Sequence, residues 1–598
     1  MAPDSDSSPR VVSETSSSSV GDAPLRLGVK LAYGAPGMAG AAMAIPIAIH
    51  LTMFYSDVIL VPLGFIAIVK AVARAFDAIT DPLMGWISDR TRTRWGRRRP
   101  WMVIGAPLAA VSFIAMFSPP LGLDPLTAVG WFAATYTLYY LFHTVYQIPH
   151  YGLGPELTQN YRERASLYGW SEGFTVAGTM LAALAPWLMG RIFGNQRDTF
   201  VAFSIIFGTL LTLLYWNLAY RVRERPDYVN RPPNPLVPGL RRVMRNRAFR
   251  LLLIIYLIGS VTGAIPGLLM PYFTKYVIQP EDPDLWLAVF LAVYFGAGFA
   301  CLPVWVWVVK RFGKKPLWLF GYAATVVALF SIFFFVGPGD FVPMVVCLLF
   351  AGAVFSSRLL LGPAMQADVI DYDELHTGKR REAQYGGLWS IMTKFTVIPS
   401  MSIPLAILAS LGYEPNVEQS DVVQFAIRAI FALAPAATAL IGLAIAIFYP
   451  ITEKVHERIL EGVECHRRGE SAEDPLTGQS LDPPQDRGLD EDTGWFLDHF
   501  SRGELRRVRE GESLVWRLVL FCLFTTLILA TAVGSILATV QDVKQAPGLL
   551  AVVEIISAGV AVAALAWSII RLRAARRLRD EPPPLDVIEK HLRAIDAA

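Results

Sequence analysis

Four ionisable side chains follow one another at helical spacing inside an apolar segment. Lys70, Arg74, Asp77 and Asp81 are four, three and four residues apart, which places them on one face of a helix. A carboxylate near the centre of a bilayer costs roughly 2.5–3.5 kcal/mol on insertion scales, so two acids on this face need partners. Two oxygen ligands one turn apart, with Thr80 beside them, suit Na⁺ as a bound metal ion, and neighbouring carboxylates can also share H⁺. The spacing predicts a cation site at Asp77 and Asp81 and leaves the choice of ion open.

A structural ion pair between Arg74 and Asp77 is the simplest alternative for this face. The two residues are one turn apart, so the guanidinium can reach the carboxylate. Arg74 can neutralise only one of the two acids, however, and Asp81 would stay buried without a partner. We therefore favour the cation site.

A loop dense in arginine follows the charged helix directly. Its members are Arg90, Arg92, Arg94, Arg97, Arg98 and Arg99. The simplest interpretation is a topology signal that keeps the loop in the cytoplasm and contacts lipid headgroups. Asp89 adjoins the loop and adds a second interpretation, in which pairs of Asp89 with Arg90 and Arg97 form a gate that holds the cytoplasmic side shut.

The composition indicates the class of protein that carries this helix. Of 598 residues, 54% are hydrophobic and 17% are charged, whereas a soluble protein carries about a quarter charged residues. Apolar segments of roughly 20 residues, the length that crosses a bilayer, lie near 33–56, 62–85, 101–120, 127–150, 167–190, 199–219, 250–275, 285–309, 316–336, 341–364, 384–411 and 424–450. The polar segment 220–249 divides these twelve six and six. The sequence therefore predicts an all-α membrane protein with the twelve-helix major facilitator fold, built as two six-helix halves.

The charges of the loops predict the orientation of these spans. The loops on one side hold the arginine-dense loop, the basic segment 220–249 and the runs KRFGKK and LHTGKRR. The loops on the other side, SDVILVP, SPPLGLDP, GPGD and GYEPNVEQSD, contain no Lys or Arg, and only Arg191, Arg197 and Lys275 oppose the trend. Because loops rich in Lys and Arg stay in the cytoplasm, we expect both termini to be cytoplasmic and the protein to lie in the plasma membrane, which is the inner membrane of a bacterium.

The chain continues beyond the twelve predicted spans. Two further apolar segments, near 515–541 and 548–570, predict a C-terminal two-helix transmembrane hairpin, to which the sequence assigns no function. The expected organisation is a disordered cytoplasmic N-terminal tail (1–27), an N-terminal half (28–219), a central cytoplasmic loop (220–249), a C-terminal half (250–450), a cytoplasmic linker (451–514), the hairpin (515–571) and a cytoplasmic C-terminal tail (572–598).

The fourth predicted span carries polar side chains that are candidates for a solute site. Thr144, Gln147, His150 and Tyr151 share one helix face. Polar residues on such a face either line a cavity or hydrogen-bond a neighbouring helix.

Two isolated cations lie deep in the second half. Arg358 is in the tenth span and Lys394 in the eleventh. An arginine inside a span needs an anionic ligand or a counter-charge, so Arg358 either binds solute or forms a structural pair with Glu172 of the fifth span. For Lys394 we favour a functional role.

Catalytic and nucleotide-binding motifs are absent from the sequence. It contains no GxxxxGK[ST], GxSxG or HExxH, so we expect neither an ATP-driven pump nor an enzyme. No cofactor is expected beyond the coupling ion. The expected partners are a small solute and membrane lipids, with no nucleic acid, and the expected state is a monomer.

Three long stretches resemble one transporter family. DAITDPLMGWISDRTRTRWGRRRPW, ADVIDYDELHTGKRREAQYGGLWSIMTK and LGYEPNVEQS are similar to motifs of the glycoside–pentoside–hexuronide:cation symporters, the melibiose carrier family, over roughly 28–455. The resemblance implies that Asp77 and Asp81 coordinate the cation, that Thr144 completes this site, and that Lys394 matches the family's lysine in span eleven. Thr80 stands where many members have Asn.

The sugar-binding positions differ from those of the melibiose carriers. The two sugar-binding acids of that group match Ala41 and Gln147, the neighbouring Trp matches Tyr151, and the span-five Arg matches Glu172. A carboxylate accepts hydrogen bonds from two sugar hydroxyls at once. The resemblance therefore implies a retained ion site and an altered solute site.

Together these observations predict a symporter that moves a small polar solute with Na⁺ or H⁺ by alternating access. The expected solute is a sugar, a glycoside or a uronate, and the residues expected to line its site are Gln147, Tyr151, Lys394, Arg358 and Glu172. One alternative keeps the fold and changes the cargo to a lysolipid or another anionic amphiphile. Another alternative is a non-transporting sensor or scaffold that acts through residues 451–598.

Overall fold

The computed structural model describes residues 25–158, 161–224, 236–379, 381–483, 491–541 and 549–596. Almost all of the predicted N-terminal tail, residues 1–24, lies outside the described residues. So does the stretch 225–235 of the predicted central loop.

The described residues up to 224 are built from helices. They are α1 (Leu27–Gly34), α2 (Pro36–Ala48), α3 (His50–Met53), α4 (Leu63–Arg90), α5 (Arg99–Phe117), α6 (Pro125–Leu157), α7 (Tyr161–Phe193) and α8 (Gln196–Arg221). A π-helical turn, Phe54–Val58, follows α3 and completes the first predicted span. This group forms the N-terminal half.

The C-terminal half repeats this organisation. It contains α9 (Leu236–Val243), α10 (Arg247–Phe273), α11 (Pro283–Phe312), α12 (Lys314–Phe335), α13 (Phe341–Thr377), α14 (Glu382–Ser410), α15 (Asp421–Arg428) and α16 (Ala434–Ala446). A π-helical turn, Thr274–Ile278, follows α10, at the same place in this half as Phe54–Val58 in the first. Another π-helical turn, Ala429–Leu433, joins α15 to α16.

The segment predicted as a linker and the region after it are folded as well. They contain α17 (Glu453–Arg467), an antiparallel pair of strands β1 (Ala472–Glu473) and β2 (Ser480–Leu481), α18 (Glu491–Leu497), α19 (Arg502–Arg509), α20 (Val515–Gln541), α21 (Leu549–Asp580) and α22 (Leu585–Asp596). The helices α20 and α21 pack on each other as the predicted hairpin.

Eleven helices among the described residues are long and apolar enough to cross a membrane. The helices α4, α6 and α21, with 28, 33 and 32 residues, are not among these eleven; α4 carries the charged face described above, and α21 is the second helix of the predicted hairpin. The all-α architecture is confirmed. The number of twelve spans plus two stays a prediction.

Asp-Pro pairs begin two of the long helices. Asp124 caps α6 by accepting hydrogen bonds from the backbone N–H groups of Leu126 and Thr127, both at 3.2 Å. Asp282 caps α11 in the same way through Leu285 N–H at 3.0 Å. In both helices Pro is the first residue, where its missing N–H costs no hydrogen bond.

The two halves are joined at the predicted outer side by the buried carboxylate of Asp57. This residue lies on the first π-helical turn, and its Oδ2 is 2.6 Å from Lys275 Nζ and accepts a hydrogen bond from the Tyr276 hydroxyl at 2.5 Å, both on the second π-helical turn. Its Oδ1 accepts a hydrogen bond from the Tyr413 hydroxyl at 2.6 Å. One carboxylate thus binds residues of the opposite half and holds the two halves together at the predicted outer side.

The three cations that oppose the loop-charge trend all have partners in the structure. Lys275 pairs with Asp57, and Arg191 Nη2 lies 2.9 Å from Asp282 Oδ2 in the other half. Arg197 donates to the carbonyl of Pro119. Two of the three therefore connect the halves, so a specific contact accounts for their place on this side.

Candidate cation and solute site

The two predicted acids on α4 meet a lysine from the opposite half. Lys394 Nζ on α14 is 2.9 Å from Asp77 Oδ2 and contacts Asp81 Oδ2 as well. The two acids are 1% and 8% exposed. A contact between α4 and α14 at this point places the charged face of α4 on the interface between the two halves.

A hydroxyl group lies on the other side of the two carboxylates. Thr144 Oγ1 on α6 is 2.9 Å from Asp77 Oδ1 and 2.8 Å from Asp81 Oδ1. The hydroxyl has one hydrogen and can donate it to only one carboxylate at a time. At the other carboxylate, the hydroxyl oxygen and the carboxylate oxygen therefore face each other as two acceptors. Three oxygens that converge in this way form a ligand set for a small cation or for a shared proton.

Arg74 provides the second positive charge beside the acids. Its Nη1 is 3.6 Å from Asp77 Oδ2, and its guanidinium carbon is 4.0 Å from the centre of the Tyr140 ring. The Arg74–Asp77 ion pair, which the sequence offered as the structural alternative, is therefore present, but Lys394 contacts the same acid. Two carboxylates face two cations, so the local charge is balanced and an added cation must displace one of them.

The other two residues of the charged region face elsewhere. Thr80 donates its hydroxyl to the backbone carbonyl of Asp77 at 3.2 Å, not to a carboxylate. Lys70 is fully buried and donates to the hydroxyl of Thr52, and no acid lies within 4.0 Å of it among the described residues. The charged face of α4 therefore has the two candidate cation ligands, Asp77 and Asp81, at one end and a buried lysine at the other.

The polar face predicted on α6 divides into two parts. Gln147 Nε2 donates to the Tyr151 hydroxyl at 2.5 Å, and Tyr151 is 60% exposed. The Gln147 carbonyl has no hydrogen-bond partner within the described residues. His150 instead points into the N-terminal half, where it bonds the Tyr33 carbonyl and the Tyr215 hydroxyl, both at 3.0 Å. Gln147 and Tyr151 remain candidates for solute contact, whereas His150 joins helices.

Glu172 and Arg358 do not pair with each other. Neither has an ion-pair partner within 4.0 Å in the part of the chain that the structure describes, and Glu172 is exposed. Arg358 lies beside the Tyr294 hydroxyl, with its guanidinium carbon 6.0 Å from the centre of the Phe355 ring. The structural Glu172–Arg358 pair is therefore not formed in this conformation.

The predicted gate residues belong to a cluster inside the N-terminal half. Asp89 Oδ1 is 3.1 Å from Arg98 Nη2 and 3.9 Å from Arg97 Nη1, and Glu156 Oε1 of α6 lies 2.5 Å from Arg97 and 2.9 Å from Arg98. Arg90 stacks on Trp86, 4.3 Å from the ring, and pairs with no acid among the described residues. Among the described residues these ion pairs join α4 and α6 to the start of α5, within the N-terminal half.

Glu224, a residue that the sequence analysis did not single out, fixes the arginine-dense loop. Its carboxylate accepts hydrogen bonds from the backbone N–H groups of Arg97, Arg98 and Arg99 at 2.8, 2.8 and 2.9 Å. These groups begin α5, where an anion is favoured by the helix dipole. A usable signal was present, because Glu224 is an acid inside the basic run RVRERP that ends the same half.

Comparisons with known proteins agree with this architecture. The family model described as "MFS/sugar transport protein" matches residues 32–453. Among solved structures, the D-xylose-proton symporter is 16% identical and covers 69% of this chain and 96% of its own, with a TM-score of 0.50. At that identity the likeness concerns the fold, and it confirms the major facilitator architecture.

Curated relatives are similar over most of their length. An uncharacterized symporter of Synechocystis sp. is 27% identical over 538 residues, covering 74% of this chain and 98% of the relative. A putative 2,3-dihydroxypropane-1-sulfonate exporter of Salmonella typhimurium is 30% identical over 478 residues, covering 76% and 99%. The sodium-dependent lysophosphatidylcholine symporter 1 of Xenopus tropicalis is 24% identical over 461 residues, covering 70% and 86%. The chain is a membrane transporter that belongs to the MFS/sugar transport protein family, as its resemblance to glycoside–cation symporters predicted.

Proposed function

We propose that the protein is a cation-coupled symporter in which Asp77, Asp81 and Thr144 bind Na⁺ or H⁺. The observation that carries the proposal is the contact of both acids with Lys394 of the opposite half. Binding of the ion competes with Lys394 and so changes a contact between the halves, which is the linkage that coupled transport requires.

The charge balance favours a solute with an anionic group. A cation bound at Asp77 and Asp81 releases the Lys394 ammonium, which then has no acid beside it and attracts an anion. The positions of the two sugar-binding acids in melibiose carriers hold Ala41 and Gln147 here. The solute we propose is a small polar molecule of the sugar, glycoside or uronate class, with acidic members preferred, and the relative named as a dihydroxypropane-sulfonate exporter supports an anionic cargo.

A lysolipid or another anionic amphiphile is the second candidate. The relative named as a lysophosphatidylcholine symporter favours it. Such a cargo enters from the bilayer through an apolar opening between the halves. The helix α21 packs on α4 and α14 and covers the boundary between the halves on that side, so an amphiphile would have to enter at the other boundary, where α7 packs on α11.

Thermal stability of the purified protein tests the ion site. A ligand that binds the folded state raises the melting temperature by mass action. We expect Na⁺, Li⁺ or a change of pH to stabilise the wild type, and we expect Asp77→Asn and Asp81→Asn to lose that ion-dependent stabilisation. A screen of uronates, sugar sulfonates, neutral glycosides and lysolipids in the presence of the active ion then identifies the solute class.

A matched control separates the site from general charge effects. Glu418→Gln removes an exposed carboxylate from the predicted outer loop and should keep the full ion response. If both aspartate variants keep it as well, the ion-site assignment is wrong. If the wild type in liposomes moves no solute under any ion gradient while residues 451–598 bind a partner protein, the sensor or scaffold alternative replaces this proposal.

A further inference from the structure

The helices at the C-terminus share a hydrophobic core of their own. We call residues 491–541 and 549–596 the C-terminal unit. Its core lies at the predicted cytoplasmic end of the hairpin and is separate from the two large hydrophobic clusters of the preceding residues; its members include Leu497, Phe500, Leu505, Leu518, Ala575, Leu578, Ile588 and Leu592. The residues come from α18 to α22, so the three short helices and the ends of the hairpin fold together.

A buried carboxylate attaches the C-terminal unit to the rest of the protein. Asp498 is 1% exposed, and its Oδ1 lies 2.8 Å from Arg245 Nη2 and 3.3 Å from His591 Nε2. Arg242 contacts the other carboxylate oxygen through Nε. His591 belongs to the unit, whereas Arg242 and Arg245 belong to α9 and the turn after it. Removing one partner of a buried ion cluster leaves a charge without compensation, which is costly.

The helix α9 is fixed in turn to the C-terminal half. It packs on α14, and Asn246, which follows the turn after α9 and caps α10, donates through Nδ2 to the carbonyl of Val369 and to the Tyr385 hydroxyl, both at 3.1 Å. Val369 lies on α13 and Tyr385 on α14. The contact of Asp498 with Arg242 and Arg245, which we call the latch, therefore joins the unit to the C-terminal half.

Inside the membrane region the unit also reaches the other half. The helix α21 packs on α4 of the N-terminal half and on α14 of the C-terminal half. These are the two helices that carry the Asp77–Asp81 pair and Lys394. The helix α20 lies outside α21, and only 17% of its most apolar stretch is buried, the lowest share among the eleven candidate spans. The hairpin thus lies across the boundary between the halves.

Alternating access moves these two halves relative to each other, so α4 and α14 must change their contact during each cycle. We propose that the C-terminal unit is a built-in brake on this motion. The latch holds α21 against both helices and stabilises the conformation that is closed at the predicted outer side. Loss of the latch frees α21 from one half and makes the alternative conformation more accessible.

Distance measurements between spin labels test the brake without solute or coupling ion, so the outcome is independent of the proposed ion site. In the full chain with its four cysteines replaced by Ser, Arg92→Cys and Lys310→Cys place labels on exposed positions of the two halves. Arg242→Gln combined with Arg245→Gln opens the latch without changing a residue of the unit. We expect the ratio of the two distance populations to shift about tenfold, equivalent to about 1.4 kcal/mol.

A control variant removes an arginine from the unit away from the latch. Arg509→Gln breaks an exposed pair with Glu589, 3.8 Å apart with both side chains nearly half exposed, and should keep the wild-type distribution. A second label pair, Glu512→Cys with Glu581→Cys, reports whether the unit keeps its fold. If the distance between the halves is the same in the wild type and in the double arginine variant, the proposal is overturned, whether or not the unit keeps its internal distance. An equal shift in Arg509→Gln overturns it as well.

Discussion

Replacing Lys394 by Gln separates two roles that the lysine can have at the ion site. Its Nζ is 2.9 Å from Asp77 Oδ2 and also contacts Asp81, on the opposite side from Thr144. If Lys394 competes with the coupling ion, its removal leaves two buried acids that keep Arg74 as their one ion-pair partner among the described residues. We therefore expect Lys394→Gln to bind the ion more tightly than the wild type does, and to lose affinity for an anionic solute.

The expected size follows from the geometry. A unit pair at 2.9 Å interacts with about 6 kcal/mol at an effective dielectric constant of about 20. Most of this energy is offset because a displaced ammonium regains hydration. We expect about 1.4–2.8 kcal/mol of the pair energy to remain as the net cost of displacing the lysine. Removing this cost corresponds to a ten- to hundredfold lower Kd for the ion. Without the ion the variant should be less stable than the wild type, since two acids lose their counter-charge.

Thermal shift titrations with Na⁺ and over pH measure both effects in one series. Lys454→Gln, on the exposed face of α17, removes the same charge at a distance from the site and should behave as the wild type. The competition model fails if Lys394→Gln loses ion-dependent stabilisation as Asp77→Asn is expected to do, because the lysine would then belong to the ion site instead of opposing the ion.

Three further perturbations test contacts described above. Asp57→Asn removes the acid that binds Lys275 across the outer side, and it should raise the population that is open on this side, measured by spin-label distances; an unchanged distribution would mean that the apolar contacts alone close it. Glu224→Gln weakens three hydrogen bonds to the arginine-dense loop and should cost about 1–3 kcal/mol of stability, seen as a lower melting temperature than that of Glu418→Gln. Burial would raise the pKa of Asp498, but the hydrogen bond from His591 and the charges of the two arginines hold it at about 2. Because this folded-state pKa lies below the usual value near 3.9, ionised Asp498 should contribute about 2.6 kcal/mol at neutral pH and lose it only as pH falls from about 4 through 2. Loss of its contacts with the two arginines already at pH 6 would contradict this.

The charged face of α4 was readable from the sequence because helical spacing fixes which side chains share a face. Periodicity could not show what faces it. Lys394 lies more than 300 residues further along the chain, and its place beside Asp77 and Asp81 depends on how the two halves pack. The lysine could be named from its isolation in an apolar span and from the family resemblance, whereas its contact with the two acids needed the structure.

Side-chain direction limited the other predictions. Thr80 is predicted at the ion site because it adjoins Asp81 in the sequence, and Thr144 because of the family resemblance. In the structure the Thr80 hydroxyl donates to the backbone carbonyl of Asp77 in its own helix, as Thr in a helix commonly does. Arg90 and Arg97 are both near Asp89 in the sequence, yet Arg90 stacks on Trp86, and Arg97 lies closer to Glu156, at 2.5 Å, than to Asp89, at 3.9 Å. Short flexible segments offer several partners, and spacing does not choose among them.

Exceptions to a pattern carried information that the pattern did not. The orientation is predicted from the many loop residues that follow the positive-inside rule. Lys275 and Arg191 do not follow it, and they count as exceptions. In the structure each of these two pairs with an acid of the opposite half, Asp57 and Asp282. A cation on the outer side of a transporter is unfavourable for topology, so it persists where a contact between the halves compensates. The same reasoning applies to Glu224 within its basic run: an isolated charge of the wrong sign marks a specific partner, and it is the place to look first for the contacts that hold one conformation.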